Sequence, residues 1–248
     1  MRFLKLTIAY DGTAYAGWQV QPNGRTIQEM MERALLKITG ESMRVIASGR
    51  TDAGVHALGQ VVSFETESEL SPEVFVRALN AETPFDITVL DAVEAPPGFH
   101  AIRDARRKRY RYFYQDGRIA DPFGERSAWF IPHRLDAEAM HRAAQALVGK
   151  HDFTSYASVK AEVRTRVRTI YELTIERQPT CLLDRVVLEV EANGFLYNMV
   201  RNIAGVLLEV GRGAQPESWP GEVLAAMDRR AGAATAPPQG LFLVKVDY

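Results

Sequence analysis

One short segment carries the residue types and spacing that nucleophilic chemistry needs. Residues 48–57 read SGRTDAGVHA and lie between two predicted strands. Gly49 and Gly54 permit positive φ, so the segment suits a tight turn in which Asp52 bonds to its own backbone. The same kind of turn holds a carboxylate rigidly at the end of a sheet, and Arg50 favours the ionised form that a nucleophile needs. Spacing alone leaves two interpretations open, a structural hairpin turn and a catalytic carboxylate.

Basic residues are concentrated in two short strips of the chain. The 248 residues include 30 Lys plus Arg and 31 Asp plus Glu, which gives a formal net charge of −1. Residues 103–111 (RDARRKRYR) hold six basic residues and one acidic residue, and residues 160–168 (KAEVRTRVR) hold four and one, so the rest of the chain carries −9. This distribution excludes a uniformly basic nucleic-acid coat. It predicts a localised anionic ligand, with a solvated strand face as the alternative.

Aromatic residues favour a nucleic acid as the ligand of the first strip. Residues 109–114 read RYRYFY, so a tyrosine occupies every second position. Because successive side chains of a strand point to opposite faces, the arginines are expected on one face and the tyrosines on the other. Such a strand can stack bases while it neutralises phosphates.

Hydrophobic periodicity and capping residues predict the elements that position these side chains. The first half has strands at 3–10, 43–48, 59–66 and 86–94 and helices at 26–39 and 71–79. The second half has strands at 107–115, 164–177, 183–192 and 241–246 and helices at 136–149, 196–211 and 221–230, the last followed by a flexible stretch at 231–240. Each half thus contains the order β-α-β-β-α-β. We predict an α+β fold of two ferredoxin-like (split β-α-β) halves whose mostly antiparallel sheets join around a basic central cleft.

A linker at 95–98 (APPG) marks the expected domain boundary. It gives a first domain, 1–98, with the Asp52 segment, and a second domain, 99–248, with the basic strips. The single cysteine, Cys181, excludes an internal disulfide and a cysteine zinc site. Charged residues interrupt the N-terminal apolar positions, so no signal peptide is expected, and no stretch approaches the ~20 apolar residues of a membrane span. We expect a cytoplasmic protein with no membrane segment.

Stretches along almost the whole chain resemble the tRNA pseudouridine synthase A family, in the order found there. The most specific is SGRTDAGVHA (48–57), which is followed by GQVVSFET (59–66). The others in the first half are YDGTAYAGWQVQP (10–22), RTIQEMMERAL (25–35), LNAETPFDI (79–87) and GFHAIRDARRKRYRY (98–112). Those in the second half are DFTSYAS (152–158), VRTI (167–170), NGFLYNMVRNIAGVLLEVG (193–211) and GLFLVKVDY (240–248).

The resemblance implies isomerisation of uridine to pseudouridine at positions 38 to 40 of the tRNA anticodon stem-loop. It implies a homodimer that needs neither a metal nor another cofactor. The reaction cleaves an N-glycosidic bond, rotates the uracil and rejoins it to the ribose through C5. A non-catalytic RNA-binding module would explain the basic strips but leaves the GRTDAG segment without a purpose. A carboxylate-based glycoside hydrolase would need a second positioned acid.

Site residues follow from the resemblance position by position. Asp52 is implied as the catalytic carboxylate, acting through either a glycosyl ester or a glycal intermediate. Tyr110 is implied to stack on the extruded uracil and could assist removal of the C5 proton, and Arg201 is implied to pair with Asp52. Arg50 would help extrude the target nucleotide or hold its phosphate. For His56, an RNA contact and a structural role are both open.

The first basic strip supplies the remaining predicted substrate contacts. Arg106, Arg107 and Arg109 are expected to bind phosphates of the tRNA. Binding should then weaken steeply as the salt concentration rises, because each phosphate contact releases counterions.

Overall fold

Ten strands and five α-helices form the regular structure of residues 1–158, 164–180 and 182–248, which are the residues that the computed structural model describes. Most of their strand pairs are antiparallel, so the predicted α+β class with mostly antiparallel sheets is confirmed. The chain divides into two compact units, one of residues 1–106 with 242–248 and one of residues 107–241. No helix of the described residues is long and apolar enough to cross a membrane.

The first unit contains seven elements. They are β1 (Arg2–Tyr10), α1 (Ile27–Thr39), β2 (Ile46–Ala47), β3 (His56–Thr66), α2 (Pro72–Glu82), β4 (Ile87–Ala95) and, except for its first residue, β10 (Leu241–Asp247). Strand β1 lies between β4 and β3 and is antiparallel to both, whereas β2 is antiparallel and β10 parallel to β3. Alternate residues of β1, namely Leu4, Leu6 and Ile8, are fully buried. These three side chains anchor one face of the sheet.

Capping explains where helix α1 begins and ends. Thr26 accepts a hydrogen bond from the backbone N–H of Glu29 with its side-chain oxygen, as the predicted capping box requires. Gly40 ends the helix with a φ of 75°, a left-handed conformation that a glycine adopts without steric cost.

Strand β2 is shorter than the predicted strand at 43–48. The backbone N–H of Val45 donates to the Glu32 carboxylate (3.0 Å), and its carbonyl oxygen accepts from the Gln28 amide (3.2 Å). Side chains of α1 therefore occupy the backbone groups that would extend the ladder, and pairing begins only at Ile46.

The second unit contains eight elements. They are β5 (Arg107–Asp116), β6 (Trp129–Ile131), α3 (Ala137–Ala144), β7 (Gly149–Asp152), β8 (Val167–Gln178), β9 (Arg185–Ala192), α4 (Met199–Gly211) and α5 (Trp219–Ala225). The antiparallel strand order is β5-β9-β8-β7, and β6 pairs with β5 in parallel. Strands β6 and β7 were not predicted, since three or four residues are too few for a periodic pattern.

Three helices of the second unit are shorter than predicted. Helix α3 ends at Ala144 rather than 149, because the chain tightens into a 3-10 turn over Gln145–Leu147 and enters β7 at Gly149. Helix α4 starts at Met199 rather than 196 because Asn198 has a left-handed φ of 63°. Helix α5 ends at Ala225, and the chain turns at Met227, where φ is 50°. Both positive φ values belong to non-glycine residues, which adopt them rarely.

A buried ion pair supports the β5–α3 connection and gives a stability prediction. Asp116 lies 2.6 Å and 2.9 Å from two nitrogens of Arg177 and accepts the backbone N–H of Leu135 at 2.7 Å. Burial opposes ionisation of Asp116, but the hydrogen bonds from Arg177 and Leu135 outweigh it and lower the pKa of this carboxyl group. We expect Asp116→Asn to reduce the free energy of unfolding by about 3 kcal/mol at neutral pH.

Acid titration provides the check on this ion pair. Because the folded-state pKa is lowered, the stabilisation is complete above the unfolded pKa of about 4 and is lost as the pH falls through the folded value. Thermal denaturation of both proteins at pH 7 and at pH 3 should therefore show a smaller difference in Tm at pH 3. An equal difference at the two pH values would contradict the assignment.

Candidate active site

Asp52 sits in a turn between β2 and β3. The backbone N–H of Val55 donates to the Asp52 carbonyl oxygen (3.1 Å), and Gly54 has a φ of 77°. Asp52 is half-buried. The segment 48–57, called the Asp52 loop below, thus forms a tight turn in which Gly54 but not Gly49 has a positive φ, and it also presents a carboxylate.

Buried polar groups fix the start of the Asp52 loop. Gln60, which is fully buried, donates from its amide to the Gly49 carbonyl oxygen (2.7 Å) and accepts from the Ser48 hydroxyl (2.7 Å). The backbone N–H of Ser48 in turn donates to Val61 (2.7 Å). These bonds tie the loop to β3 just before Asp52.

Thr51, the residue before Asp52, is held from two sides. Its hydroxyl lies 2.7 Å from the Tyr10 hydroxyl, and its carbonyl oxygen accepts the backbone N–H of Trp18 at 3.0 Å. Burial raises the pKa of Tyr10 to about 12, so its hydroxyl keeps its proton near neutral pH and remains a donor. Trp18, at 2% exposure, packs beneath the loop rather than at its surface.

Two glycines allow residues 12–17 to approach the Asp52 loop at backbone distance. A Cβ on Gly17 would lie 2.7 Å from the Thr51 carbonyl oxygen, and a Cβ on Gly12 would lie 2.0 Å from that of Val55. Distances below 3.0 Å are not tolerated between a Cβ and a backbone atom. Any larger residue would therefore displace the loop on either side of Asp52.

His56 is an interior residue at the end of the same loop. It is 3% exposed, and its ring stacks on Phe242 with centroids 4.5 Å apart. Its Nδ1 atom lies 3.1 Å from both the backbone nitrogen of Gly12 and a carboxylate oxygen of Asp11. This placement favours the structural role over the predicted RNA contact. Arg50, by contrast, is exposed.

Tyr110 lies on β5 in the second unit and is 8% exposed. Phe195, in the turn between β9 and α4, meets the Tyr110 ring edge-on at a centroid distance of 5.0 Å. Phe195 was not singled out from the sequence, although it is the first aromatic residue of the matching stretch 193–211. In the structure, Phe195 packs against one side of the Tyr110 ring.

Arg201 is anchored in the first turn of α4. Its Nε donates to the Ala236 carbonyl oxygen (2.7 Å) and one terminal nitrogen donates to the Asn198 side chain (3.1 Å). The Ala236 backbone N–H returns a bond to the Arg201 carbonyl oxygen (3.1 Å). The Arg201 guanidinium is therefore partly buried and hydrogen-bonded within its own unit.

The stretch at 231–240, predicted to be flexible, is instead fastened to α4, so that prediction was wrong. The side-chain oxygen of Asn202 accepts bonds from Arg229 (2.9 Å) and Thr235 (2.7 Å). A Cβ on Gly205 would lie 2.1 Å from the Ala234 carbonyl oxygen, so the stretch also packs directly on the helix backbone. The composition of residues 231–240, which are mostly small residues and prolines, does not indicate that they pack on a helix.

The arginines of β5 face carboxylates that the sequence did not assign to them. Arg107 and Arg109 bond to Glu191 (2.9 and 2.8 Å), and Arg109 also bonds to Glu189 (2.6 Å), which Arg111 contacts as well. These hydrogen bonds raise the pKa of Arg109 and lower that of Glu191. The antiparallel register puts the glutamates of β9 opposite this strip. We call this group the β5–β9 ion-pair row.

Other predicted basic residues have different surroundings. Arg103 and Arg106 are exposed. In the second strip, residues 160–163 lie outside the described residues, as does Cys181, whereas residues 164–168 lead into β8. Within the described ranges, no group of three or more His, Cys, Asp or Glu side chains has the geometry of a metal site.

Comparison with known proteins gives matches over most of the chain. The family model for tRNA pseudouridine synthases matches residues 6–102 and 143–248. A tRNA pseudouridine synthase A from Exiguobacterium sp. is 48% identical over 100% of this chain and 98% of its own length. Proteins of the same name from Geotalea uraniireducens and Myxococcus xanthus are 45% and 44% identical, covering 100% and 99% of this chain and 100% and 91% of their own lengths. A chain of the Cbf5–Nop10–Gar1 complex matches with a TM-score of 0.35 and 13% identity over 96% of this chain and 57% of its own, a similarity too weak to inform the fold.

Proposed function

The chain belongs to the tRNA pseudouridine synthase family and isomerises uridine in tRNA to pseudouridine, and we propose that it does so in the anticodon stem-loop, at positions 38 to 40, with Asp52 as the catalytic nucleophile. One observation carries the proposal of Asp52: its loop is held by buried hydrogen bonds and by close glycine contacts on both sides of the carboxylate. A carboxylate fixed in this way is aligned before the substrate arrives, which lowers the entropic cost of attack.

The proposed chemistry needs one carboxylate and no added reagent. The bond between uracil N1 and ribose C1′ breaks, and the uracil leaves with the bonding electrons as an anion. The freed uracil rotates, C5 bonds to C1′, and the C5 proton then leaves while N1 regains one. Asp52 starts the reaction through a glycosyl ester or a glycal, and both routes begin at the same carboxylate. Water must be excluded throughout, because hydrolysis would leave an abasic site.

The other proposed site residues bind or orient the nucleotide. Tyr110 stacks on the extruded uracil, and Arg201 supplies a fixed positive charge. Arg50 and Arg106, both exposed, contact the RNA. The predicted phosphate contacts of Arg107 and Arg109 require the RNA to compete with the glutamates of the β5–β9 ion-pair row.

The proposal also covers the location of the enzyme, its oligomeric state and the fold of its two halves. The enzyme acts as a cytoplasmic homodimer, and each half is ferredoxin-like. The antiparallel order β4-β1-β3, with β2 beside β3, supports the ferredoxin-like description of the first half.

Removing the Tyr110 ring is expected to lower kcat/KM for a stem-loop substrate about tenfold, the cost of one lost base stack. Tyr110→Phe keeps the ring and its edge-on contact with Phe195, so it should retain more activity than Tyr110→Ala. Single-turnover rates of the three proteins provide the measurement. Equal losses in the two variants would instead assign the main role to the hydroxyl group.

Mapping the modified position tests the proposed substrate region. Unmodified transcripts of complete tRNAs and of isolated anticodon stem-loops are incubated with the enzyme, and pseudouridine is located by carbodiimide-dependent stops of reverse transcription. We expect stops at positions 38 to 40 in both kinds of RNA. Stops confined to another arm of the tRNA would refute the stem-loop assignment while leaving the isomerase activity intact.

A further inference from the structure

Strand β5 separates its charged residues by face. Its register with β9 is continuous from Lys108 to Gln115, so side chains alternate without interruption. Arg107, Arg109 and Arg111 share one face, where the β5–β9 ion-pair row lies. Lys108 shares the other face with Tyr110. Lys108 is therefore the basic residue of β5 that lies on the same face as Tyr110, the residue proposed to stack on uracil.

A second cation lies on the same face. Ala192 of β9 pairs with Lys108 on one side and with Ile170 of β8 on the other, which places these three residues in one row across the sheet. Arg168 precedes Ile170 by two residues and therefore shares its face. Both Lys108 and Arg168 are half-buried.

The turn after β9 lies between Arg168 and the Tyr110 ring. Asn193 exchanges two hydrogen bonds with the backbone of Thr169, at 2.9 Å and 3.1 Å, and so fastens the turn to β8. Next in the turn, Gly194 lies beside Arg168, whose Nε would be in ordinary van der Waals contact, at 3.8 Å, with a Cβ at that position. Phe195 then meets the Tyr110 ring.

Electrostatics indicate what this pair of cations is built to receive. Burial, and then the charge of Arg168, lower the pKa of Lys108 to about 8, and burial also lowers the pKa of Arg168. Within the part of the chain that the structure describes, Arg168 donates to the carbonyl oxygens of Thr165 and Val167 and to no carboxylate. Two like charges that are partly removed from water destabilise each other, and an anion bound between them relieves both costs.

We propose that Lys108 and Arg168 form a phosphate-binding pair for the backbone of the nucleotide whose uracil stacks on Tyr110. The spacing fits one nucleotide, because residues two apart on a strand are separated by about 6.6 Å. A base on Tyr110 therefore has its own phosphodiester within reach of Lys108. The pair holds the sugar–phosphate while the uracil turns over, and it rests on the proposed stacking role of Tyr110.

The test combines an RNA in which one phosphate is uncharged with a protein variant in which Lys108 is replaced by an uncharged residue. Stem-loop RNAs carry a single methylphosphonate linkage immediately 5′ or 3′ to the target uridine, and affinity is measured in an Asp52→Asn background that prevents turnover. We expect one of the two linkages to reduce affinity about tenfold, the cost of losing a charge-assisted contact. Lys108→Gln should cause a similar loss with unmodified RNA and no further loss with that methylphosphonate RNA. Lys108→Arg should retain affinity within about threefold.

Matched variants separate this pair from general electrostatics. Arg111→Gln removes one positive charge from the opposite face of the same strand, and it should remain fully sensitive to the methylphosphonate. Arg168→Gln should behave like Lys108→Gln and provides an independent test if the lysine variant is unstable, as judged by Tm. The proposal is overturned if both glutamine variants bind as tightly as the parent, or if they weaken binding yet stay sensitive to every neutral linkage. A parent protein that binds no stem-loop at all would instead refute the proposed substrate region.

Discussion

Asp52→Asn is expected to lower the rate of pseudouridine formation by about 10⁴-fold or more, the order of loss that follows deletion of a nucleophile. The amide preserves the size of the side chain but cannot form a glycosyl ester or act as a base. Gln60, Tyr10 and Trp18 hold the Asp52 loop through groups of its neighbouring residues, which the substitution leaves unchanged. The variant should therefore keep the fold. Single-turnover assays with a stem-loop RNA give the rate.

RNA affinity distinguishes the enzyme from the competing hypotheses for this variant. We expect Asp52→Asn to bind the stem-loop within about threefold of the parent, because the change removes no positive charge that could bind a phosphate. A non-catalytic RNA-binding module would form no pseudouridine, either as the parent or as the variant. Release of free uracil by the parent would indicate a hydrolase, and full activity in Asp52→Asn would refute the assignment of the nucleophile.

Gly12→Ala is expected to reduce activity more than about 100-fold without touching a catalytic side chain. The added Cβ would lie 2.0 Å from the Val55 carbonyl oxygen, so the two backbones must separate by more than 1 Å. A displacement of that size at the reacting group costs about 100-fold in rate. It would also disturb the contact between the Gly12 backbone and the His56 ring.

A second glycine variant serves as the control for Gly12→Ala. Gly98 has a φ of 80°, but a Cβ at this residue would meet no atom within 4 Å, so Gly98→Ala introduces backbone strain without a clash. We expect Gly98→Ala to lower stability by about 1 kcal/mol and to leave the rate unchanged. Activity and Tm of both variants are compared. If Gly12→Ala retained the parent rate, the Asp52 loop would not need the rigidity that we assign to it.

Local features of the fold could be predicted from sequence because their causes are local. The cap at Thr26, the stop at Gly40 and the turn around Gly54 each depend on a few neighbouring residues. The glycine-flanked loop therefore identified Asp52 as a candidate without any knowledge of tertiary contacts. The resemblance to a family supplied Tyr110 and Arg201, which spacing alone does not connect with Asp52.

Features that depend on pairing between distant segments could not be predicted. Arg107 and Arg109 of the strip 103–111 were expected to bind phosphates. Nothing within the strip indicates that the register of β5 with β9 places Glu189 and Glu191 against them. Helix α4 likewise holds Ala236 through Arg201, 35 residues away along the chain. The alternation within β5 was visible in the sequence, yet which face carries carboxylates depends on β9.

The return of residues 242–248 to the first unit has a consequence for biosynthesis. Phe242 stacks on His56 at the end of the Asp52 loop, and β10 pairs with the start of β3. The first 106 residues emerge early from the ribosome, yet they lack this strand until the second unit has been translated. Contacts between such distant segments form slowly because a long intervening chain must be closed. The nascent first unit therefore has its Asp52 loop without the Phe242 contact and the β10 pairing until the second unit has been translated.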